Sequence, residues 1–253
     1  MIVLEKTKVF GWEQAIRGMR NPLNSWEKSD SDYITNYCEW CEEDNCPNRD
    51  NGNGCMSYHI GKNDISLMKK LAAAGTDHRK FLRMITVYWD ITAPLYWWKE
   101  FDTYKVGTVA NSCSTMHKLT EKEFSIDDFS HNHIPFAELD KEHTTIEALN
   151  YHTLEHIVST LNTNRKLYLK TKDKKYWWNI IQLLPSSYNQ KRTVMLNYEV
   201  LANIYKSRKN HKLDEWKALC YWIEELPYFA EIMGIERGKI QGIKVREEHN
   251  EKE

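Results

Sequence analysis

The sequence predicts an α+β chain in which helix outweighs strand. Three observations carry that expectation. Between about Thr144 and Leu184 the segments IEALNYHTLEHIVSTLNTNRKLYL and KKYWWNIIQLL keep a helical period. A second helical block covers about Lys191–Ser207 and Asp214–Glu225. Against these, MITVYWDI is short, β-branched and aromatic, and bounded on both sides, which is the signal of a strand.

Along the chain, GWEQAIRGMR (residues 11–20) suits a short amphipathic helix, and RNPLNSW marks a turn through Pro22, Asn24 and Ser25. Residues 26–62 are polar and rich in Asp, Asn and Gly, so a long loop or insertion is expected. NDISLMKKLAAAG predicts a helix capped by Asn63 or Asp64 and ended by Gly75. After MITVYWDI, Pro94 suits the first turn of a helix LYWWKEFDTY. KVGTVANSCSTMH is small and polar, more loop than element, and Pro185 breaks the long helical block. GIERGKIQGIKVREEHNEKE is charged and is expected to be disordered. The expected organisation is one domain over residues 1–236, with a Cys-rich insertion at about 30–62, and a tail over 237–253.

The 253 residues, 41% hydrophobic, suffice for a substantial core. Lys plus Arg total 35 and Asp plus Glu 36, so no bulk charge draws the chain to nucleic acid or to a membrane surface. No apolar run approaches the roughly 18 residues of a membrane span. MIVLEKTKVFGW lacks a signal-peptide core. A soluble, cytoplasmic protein with reduced thiols is expected.

Four of the six cysteines, Cys38, Cys41, Cys46 and Cys55, follow a C-x2-C-x4-C-x8-C spacing. Such thiols suit a structural metal that staples a loop with little core of its own. The spacing matches no standard zinc ribbon or knuckle, and thiols incidental to an insertion are the alternative, so no metal is assigned. In LYWWKEF the adjacent Trp97 and Trp98 face different ways on a helix, which favours core or subunit packing over base stacking. TDHRKF places His78, Arg79 and Lys80 before a strand, either as a solvated turn or as an anion or cofactor contact. Gln190–Arg192 open the predicted helix from Lys191, where cations oppose the helix dipole. A bound anion resolves that conflict, and so does a solvated surface.

The stretch LANIYKSRKNHKLDEW poses a sharper problem. On a helical wheel from Asn197, Val200, Leu201 and Ile204 fall within roughly 60°, Arg208 at about 20° and His211 at about 40°. Polar residues thus share the apolar face. They either reach solvent at its edge or line a cleft whose ligand satisfies them.

At these residues the chain resembles the flavin-dependent thymidylate synthases, the ThyX family. The likeness is strongest in LLPSSYNQKRTVMLNYEVLANIYKSRKNHKLDEW, where Asn197, Asn203, Arg208, His211 and Trp216 follow the family's order. GTDHRKFLRMITVYWDITAPLYWWKEF resembles its Gly-His-Glu-Thr segment, strand, Ala-Pro and helix, and AIRGMRNPLNS its early Ala-x-Arg segment ending in a cofactor-contacting Ser. The likeness covers roughly residues 10–25 and 64–230, without the four-Cys loop. The family signature RHRxxSxNExSxRY is replaced by TYKVGTVANSCSTMHKL: the Arg-His-Arg opening and the late Arg-Tyr are absent, and Asn111 and Ser114 match the Asn and second Ser in one of two registers. Glu199 stands where the family usually has a flavin-contacting Arg.

The resemblance implies a helix-rich mixed fold with a small antiparallel sheet, and a homotetramer with sites shared between chains. It implies FAD, NADPH, methylenetetrahydrofolate and dUMP, with reductive methylation of dUMP to dTMP. It assigns Ser25, His78, Asn197, Asn203 and His211 to the flavin. Asn111, Ser114, Lys191 and Arg192 are assigned to the nucleotide, and Arg208 to holding and polarising the pyrimidine. A related enzyme modifying a pyrimidine nucleotide differently, and a non-catalytic binding protein on the same fold, are the alternatives.

Overall fold

The structure, a computed structural model, describes residues 2–35, 56–136 and 145–237. Its centre is strand β4 (Thr86–Pro94), which overlaps MITVYWDI and runs past it to Pro94. Val87, Trp89, Ile91 and Ala93 are buried while Tyr88, Asp90 and Thr92 face the other way, the period of two that a half-covered sheet requires. The N-terminal strand β1 (Val3–Phe10), which the sequence reading left unassigned, pairs antiparallel with one edge of β4. A bulge lies between Glu5 and Lys8, with Lys6 at φ 54.

The helix expected from about Lys191 begins later than that. Residues Asn189–Asn197 form a strand, named β6 below, paired with β4 on one side. Gln190, Val194 and Leu196 are buried, whereas Lys191 and Met195 are partly open and Thr193 is exposed. The β-branched Thr193–Val194 pair and this alternation favour a strand over a helix. Part of KVGTVANSCSTMH is also strand rather than loop: β5 (Val109–Ser112) closes the sheet on the far side of β6, giving the order β1-β4-β6-β5, antiparallel throughout. The polar 26–62 segment contains a two-stranded ladder, β2 (Asp32–Thr35) with β3 (Met56–His59). Cys38, Cys41, Cys46 and Cys55 lie outside the described residues, as does the tail beyond residue 237.

Helices α1 (Trp12–Arg20), α2 (Lys62–Ala73) and α3 (Leu95–Phe101) match expected segments. The cap differs at α2: Gly61 holds that position, while Asp64 turns inward and is fully buried. Pro94 ends β4 and precedes α3 as its N-cap residue. The long helical block is two helices, α4 (Ile146–Thr171) and α5 (Lys174–Leu183), joined through Lys172 at φ 58. Then come α6 (Tyr198–Arg208), α7 (Asp214–Glu225) and the short α8 (Phe229–Met233).

The core fills the inner face of the sheet. Trp89 of β4 meets Trp222 of α7 at 4.0 Å between ring centroids, and Trp97 of α3 meets Trp216 of α7 at 4.8 Å. Trp97 and Trp98 are both buried, so the aromatic run of α3 is packing material. A second, smaller core of Leu119, Phe124, Phe129, Leu154, Val158, Leu161 and Ile180 lies under α4 and α5. Among the described residues no helix is long and apolar enough to cross a membrane.

Candidate active site

The inner polar face of α6 begins at a strand-to-helix junction. Asn197 ends β6 and caps α6, its Oδ1 accepting from the Val200 amide at 3.1 Å. The chain after α3 closes over this cap. Gly107, at φ +77, brings its backbone so near that a Cβ there would lie 3.0 Å from Asn197 Nδ2.

In the first turn of α6, Glu199 is buried, and its partner is Arg79, the residue that caps the 3-10 turn Lys80–Arg83. Nη2 of Arg79 donates to Glu199 Oε1 at 3.0 Å, while Nε lies 2.9 Å from Glu199 Oε2 as an ion-pair contact without hydrogen-bond geometry. The same Nη2 reaches the Oδ1 of exposed Asn203 at 3.4 Å. His78, next in the chain, is exposed. Arg79, Asn203 and the neighbouring His78 thus offer donors around the start of α6, with the Glu199 carboxylate beneath them.

The other end of α6 carries the densest polar constellation. Arg208 is only 19% exposed. Its Nη1 donates to Glu100 Oε2 at 2.7 Å and its Nε to Tyr104 Oη at 3.0 Å, while its guanidinium carbon lies 4.6 Å from the centre of the Trp216 ring. Glu100 Oε2 also accepts from Trp216 Nε1 at 3.0 Å and lies 3.5 Å from His211 Nε2. His211 Nδ1 is fixed by the Leu213 amide at 3.2 Å, which leaves Nε2 toward Glu100. Thus α3, α6, α7 and the turn between the last two meet around one guanidinium.

Arg208 and His211 are brought together here, and Asn203 joins Arg79. The remaining candidates lie apart within the chain. Arg192 points to the α3 side, with Nη1 on Asp102 Oδ1 at 2.8 Å, Nε on Gln190 Oε1 at 3.0 Å and its carbon 4.2 Å from the centre of the Trp98 ring. Lys191, its neighbour on a pleated strand, points to the opposite face, where Nζ meets Glu5 at 2.9 Å and Asp90 at 3.4 Å. The Glu5 hydrogen bond, with both carboxylates, holds the ammonium pKa above its ordinary value. One phosphate therefore does not reach both cations of a single chain. Both also sit within β6, so the helix start expected there is replaced by the Asn197 cap.

Asn111 is exposed on edge strand β5 opposite Thr193, and Ser114 shapes the turn that follows, its Oγ accepting from the amides of Met116 and His117. Ser25 is buried instead, its Oγ 3.4 Å from Arg20 Nη1. Arg20 is tied through Nε to Asp64 at 2.7 Å, and Asp64 also accepts from Ser29, Ser31 and the Asp30 amide. This network locks the turn after α1 onto α2.

Sequence reasoning missed Glu100 and Tyr104. Glu100 lies in the last turn of α3 and Tyr104 just beyond its end, but their partners come from residues about a hundred positions later, so no local signal marks them. Arg79 was noticed as a possible contact, and Glu199 as a departure, without the link between them.

No protein-family model matches the chain, and no curated protein matches it. Solved structures do. Thymidylate synthase X (ThyX) from Helicobacter pylori with FAD and dUMP is similar over 92% of this chain and 97% of its own, with a TM-score of 0.59 at 15% identity. A second Helicobacter pylori ThyX complex with FAD and dUMP gives 0.55 at 16% identity over 92% and 96%. The UMP/dUMP methylase PolB from Streptomyces cacaoi, bound with 5-Br dUMP, gives 0.53 at 11% identity over 92% of each chain. The chain therefore has the helix-rich α+β fold, with a small antiparallel sheet, seen in the flavin-dependent thymidylate synthases.

Proposed function

We propose that this chain is a flavin-dependent enzyme that modifies dUMP, and that its reaction is reductive methylation to dTMP with methylenetetrahydrofolate and NADPH. The observation that carries the reading is the Arg208 constellation: a guanidinium held on a tryptophan face, with a carboxylate and a phenol as partners, at the end of α6 in a ThyX-like fold. A planar, pre-oriented donor fork suits the carbonyl edge of a pyrimidine. Fold alone does not fix the reaction, so the argument rests on this site.

The residues at the start of α6 fit a flavin. Asn203, Arg79 and the exposed His78 offer donors, and a flavin ring system is rich in acceptors. When bound, a flavin supplies hydride storage and transfer. The chain's own part is to bind, orient and shield. Asn203 would donate its amide, Arg79 would hold Asn203 in place through Oδ1, and Trp216 would give Arg208 a flat, dry backing. In this reading Ser25, Asn197 and His211 complete the cofactor contacts, Asn111, Ser114, Lys191 and Arg192 serve the nucleotide, and a homotetramer assembles each site from more than one chain.

A related modification of a pyrimidine nucleotide is the second reading. In one of the two registers Tyr104 and Lys105 stand where the family signature opens with Arg-His-Arg, and Tyr104 is committed to Arg208. Two measurements decide. Equilibrium dialysis should show FAD retained at tens of micromolar, and its absence would reject a flavoenzyme. Release of tritium from C5-labelled dUMP on adding methylenetetrahydrofolate and NADPH should accompany methylation. Flavin binding without that release selects the second reading.

A further inference from the structure

The charge balance around Arg208 decides what that end of the site can take. Its face lies on Trp216, its Nε is held by Tyr104 and its Nη1 by Glu100. Among the described residues, Arg208 Nη2 keeps no hydrogen-bond partner and neither does Glu100 Oε1, because Oε2 alone receives Arg208 and Trp216. Glu100 is 36% exposed, so its second oxygen is within reach of a ligand.

We propose that Glu100 is a positioning and specificity-determining residue. Its carboxylate fixes Arg208 and cancels its charge, so that this end of the site takes an uncharged heterocycle edge and not a phosphate. Naming that edge as the base of a pyrimidine nucleotide rests on the proposed function; the cancellation of charge does not. A phosphate brings acceptors and negative charge. Here it meets one guanidinium already matched by a carboxylate at 2.7 Å, so attraction and repulsion nearly offset. An edge with a carbonyl beside an N–H suits both free atoms: Nη2 donates to the carbonyl and Oε1 accepts from the N–H. His211, the other titratable group at the carboxylate, has Nε2 3.5 Å from Oε2, and Tyr104 completes the ring of polar groups on the guanidinium.

The test uses the full chain, Glu100→Gln, Glu100→Ala and Glu100→Gln/Arg208→Gln, with inorganic phosphate and deoxyuridine as calorimetric probes. Glu100→Gln keeps the shape and one acceptor, for Arg208 and Trp216, while it removes the charge and puts an amide NH2 in place of Oε1. It should gain a phosphate-binding event beyond any that the unaltered chain shows, and the double substitution should lose it. Phosphate should leave deoxyuridine binding unchanged in the unaltered chain. Glu100→Ala, which frees Arg208 to move, should weaken deoxyuridine binding tenfold or more. Phosphate competing with deoxyuridine in the unaltered chain overturns the inference, as does Glu100→Gln without a new phosphate event. If the unaltered chain ignores both deoxyuridine and dUMP, the proposed function fails, while the phosphate comparison still decides the charge cancellation.

Discussion

Arg79→Met removes one half of the ion pair that ties the segment before β4 to the first turn of α6. The pair is short at both contacts, 2.9 Å and 3.0 Å, and its side chains are 14% and 8% exposed. Breaking a buried pair from one side leaves a charge without a partner, at a cost of about 3–5 kcal/mol. Arg79 is the more open member and water can reach the site it vacates, so the lower end, about 3 kcal/mol, is expected. For a chain of this size each kcal/mol corresponds to roughly 2–4 °C, and the melting temperature should fall by roughly 6–12 °C. Met keeps most of the aliphatic stem, which confines the effect to the charge and its hydrogen bonds.

The assay is a double-mutant cycle by urea denaturation, with Arg79→Met, Glu199→Leu and the two together. Removing both charges should recover most of the stability lost by Arg79→Met, because an apolar pair of similar volume needs no partner. The loss in Arg79→Met should also change little with salt, since a buried pair is weakly screened. A cost below about 1 kcal/mol would place the pair among solvated surface bridges and refute the reasoning. So would a double variant no more stable than Arg79→Met.

Three further outcomes are expected. Arg208→Lys keeps charge and stem but not the planar fork, so the fold should persist while dUMP binding weakens about tenfold to a hundredfold, some 1.5–3 kcal/mol for a lost charge-assisted contact. Unchanged dUMP binding with a lowered melting temperature would make Arg208 a structural residue. Gly107→Ala forces a positive φ on a residue with a Cβ that would crowd Asn197 Nδ2 at 3.0 Å and Val200 Cγ2 at 3.2 Å, and should cost about 1–2 kcal/mol in denaturation, while an unaltered midpoint would mean that the loop does not seat on the α6 cap. Cys220 is buried, and burial followed by the nearby Glu224 pushes its thiol to about 12, so peptide mapping after alkylation at pH 8 should find exposed Cys113 modified and Cys220 protected until the chain unfolds.

The elements that follow one strong period were legible in the sequence. The buried alternation of β4, the amphipathic α2 and the α4–α5 pair depend on local pattern, and local pattern is what a sequence displays. The strand β6 was misread for a physical reason. Its inner positions include Gln190 and Arg192, satisfied by the Cys113 carbonyl and by Asp102, so polar residues stand where a buried strand should be apolar. That blurs a period of two into something a helix also fits. The boundary itself was marked by Asn197, a favoured cap residue, with Glu199 in the first helical turn. The N-terminal strand was missed because a bulge shifts its alternation midway, and β5 because four exposed residues on a sheet edge carry no burial pattern.

At the candidate site the sequence displays the cations but not their matching carboxylates. Each arginine that suggests anion binding is already paired: Arg79 with Glu199, Arg192 with Asp102 and Arg208 with Glu100. Arg192 and Arg208 even grip the same end of α3 through residues two apart, which a helix turns to opposite sides. A paired guanidinium keeps free N–H groups and its planar shape but contributes little net charge. Recognition built from such pairs depends on where donors point and what faces them, not on bulk attraction. That agrees with a chain whose basic and acidic residues number 35 and 36. Near α3, Tyr104 holds Arg208 Nε and Glu100 its Nη1, so the guanidinium there acts through oriented hydrogen bonds and not through free charge.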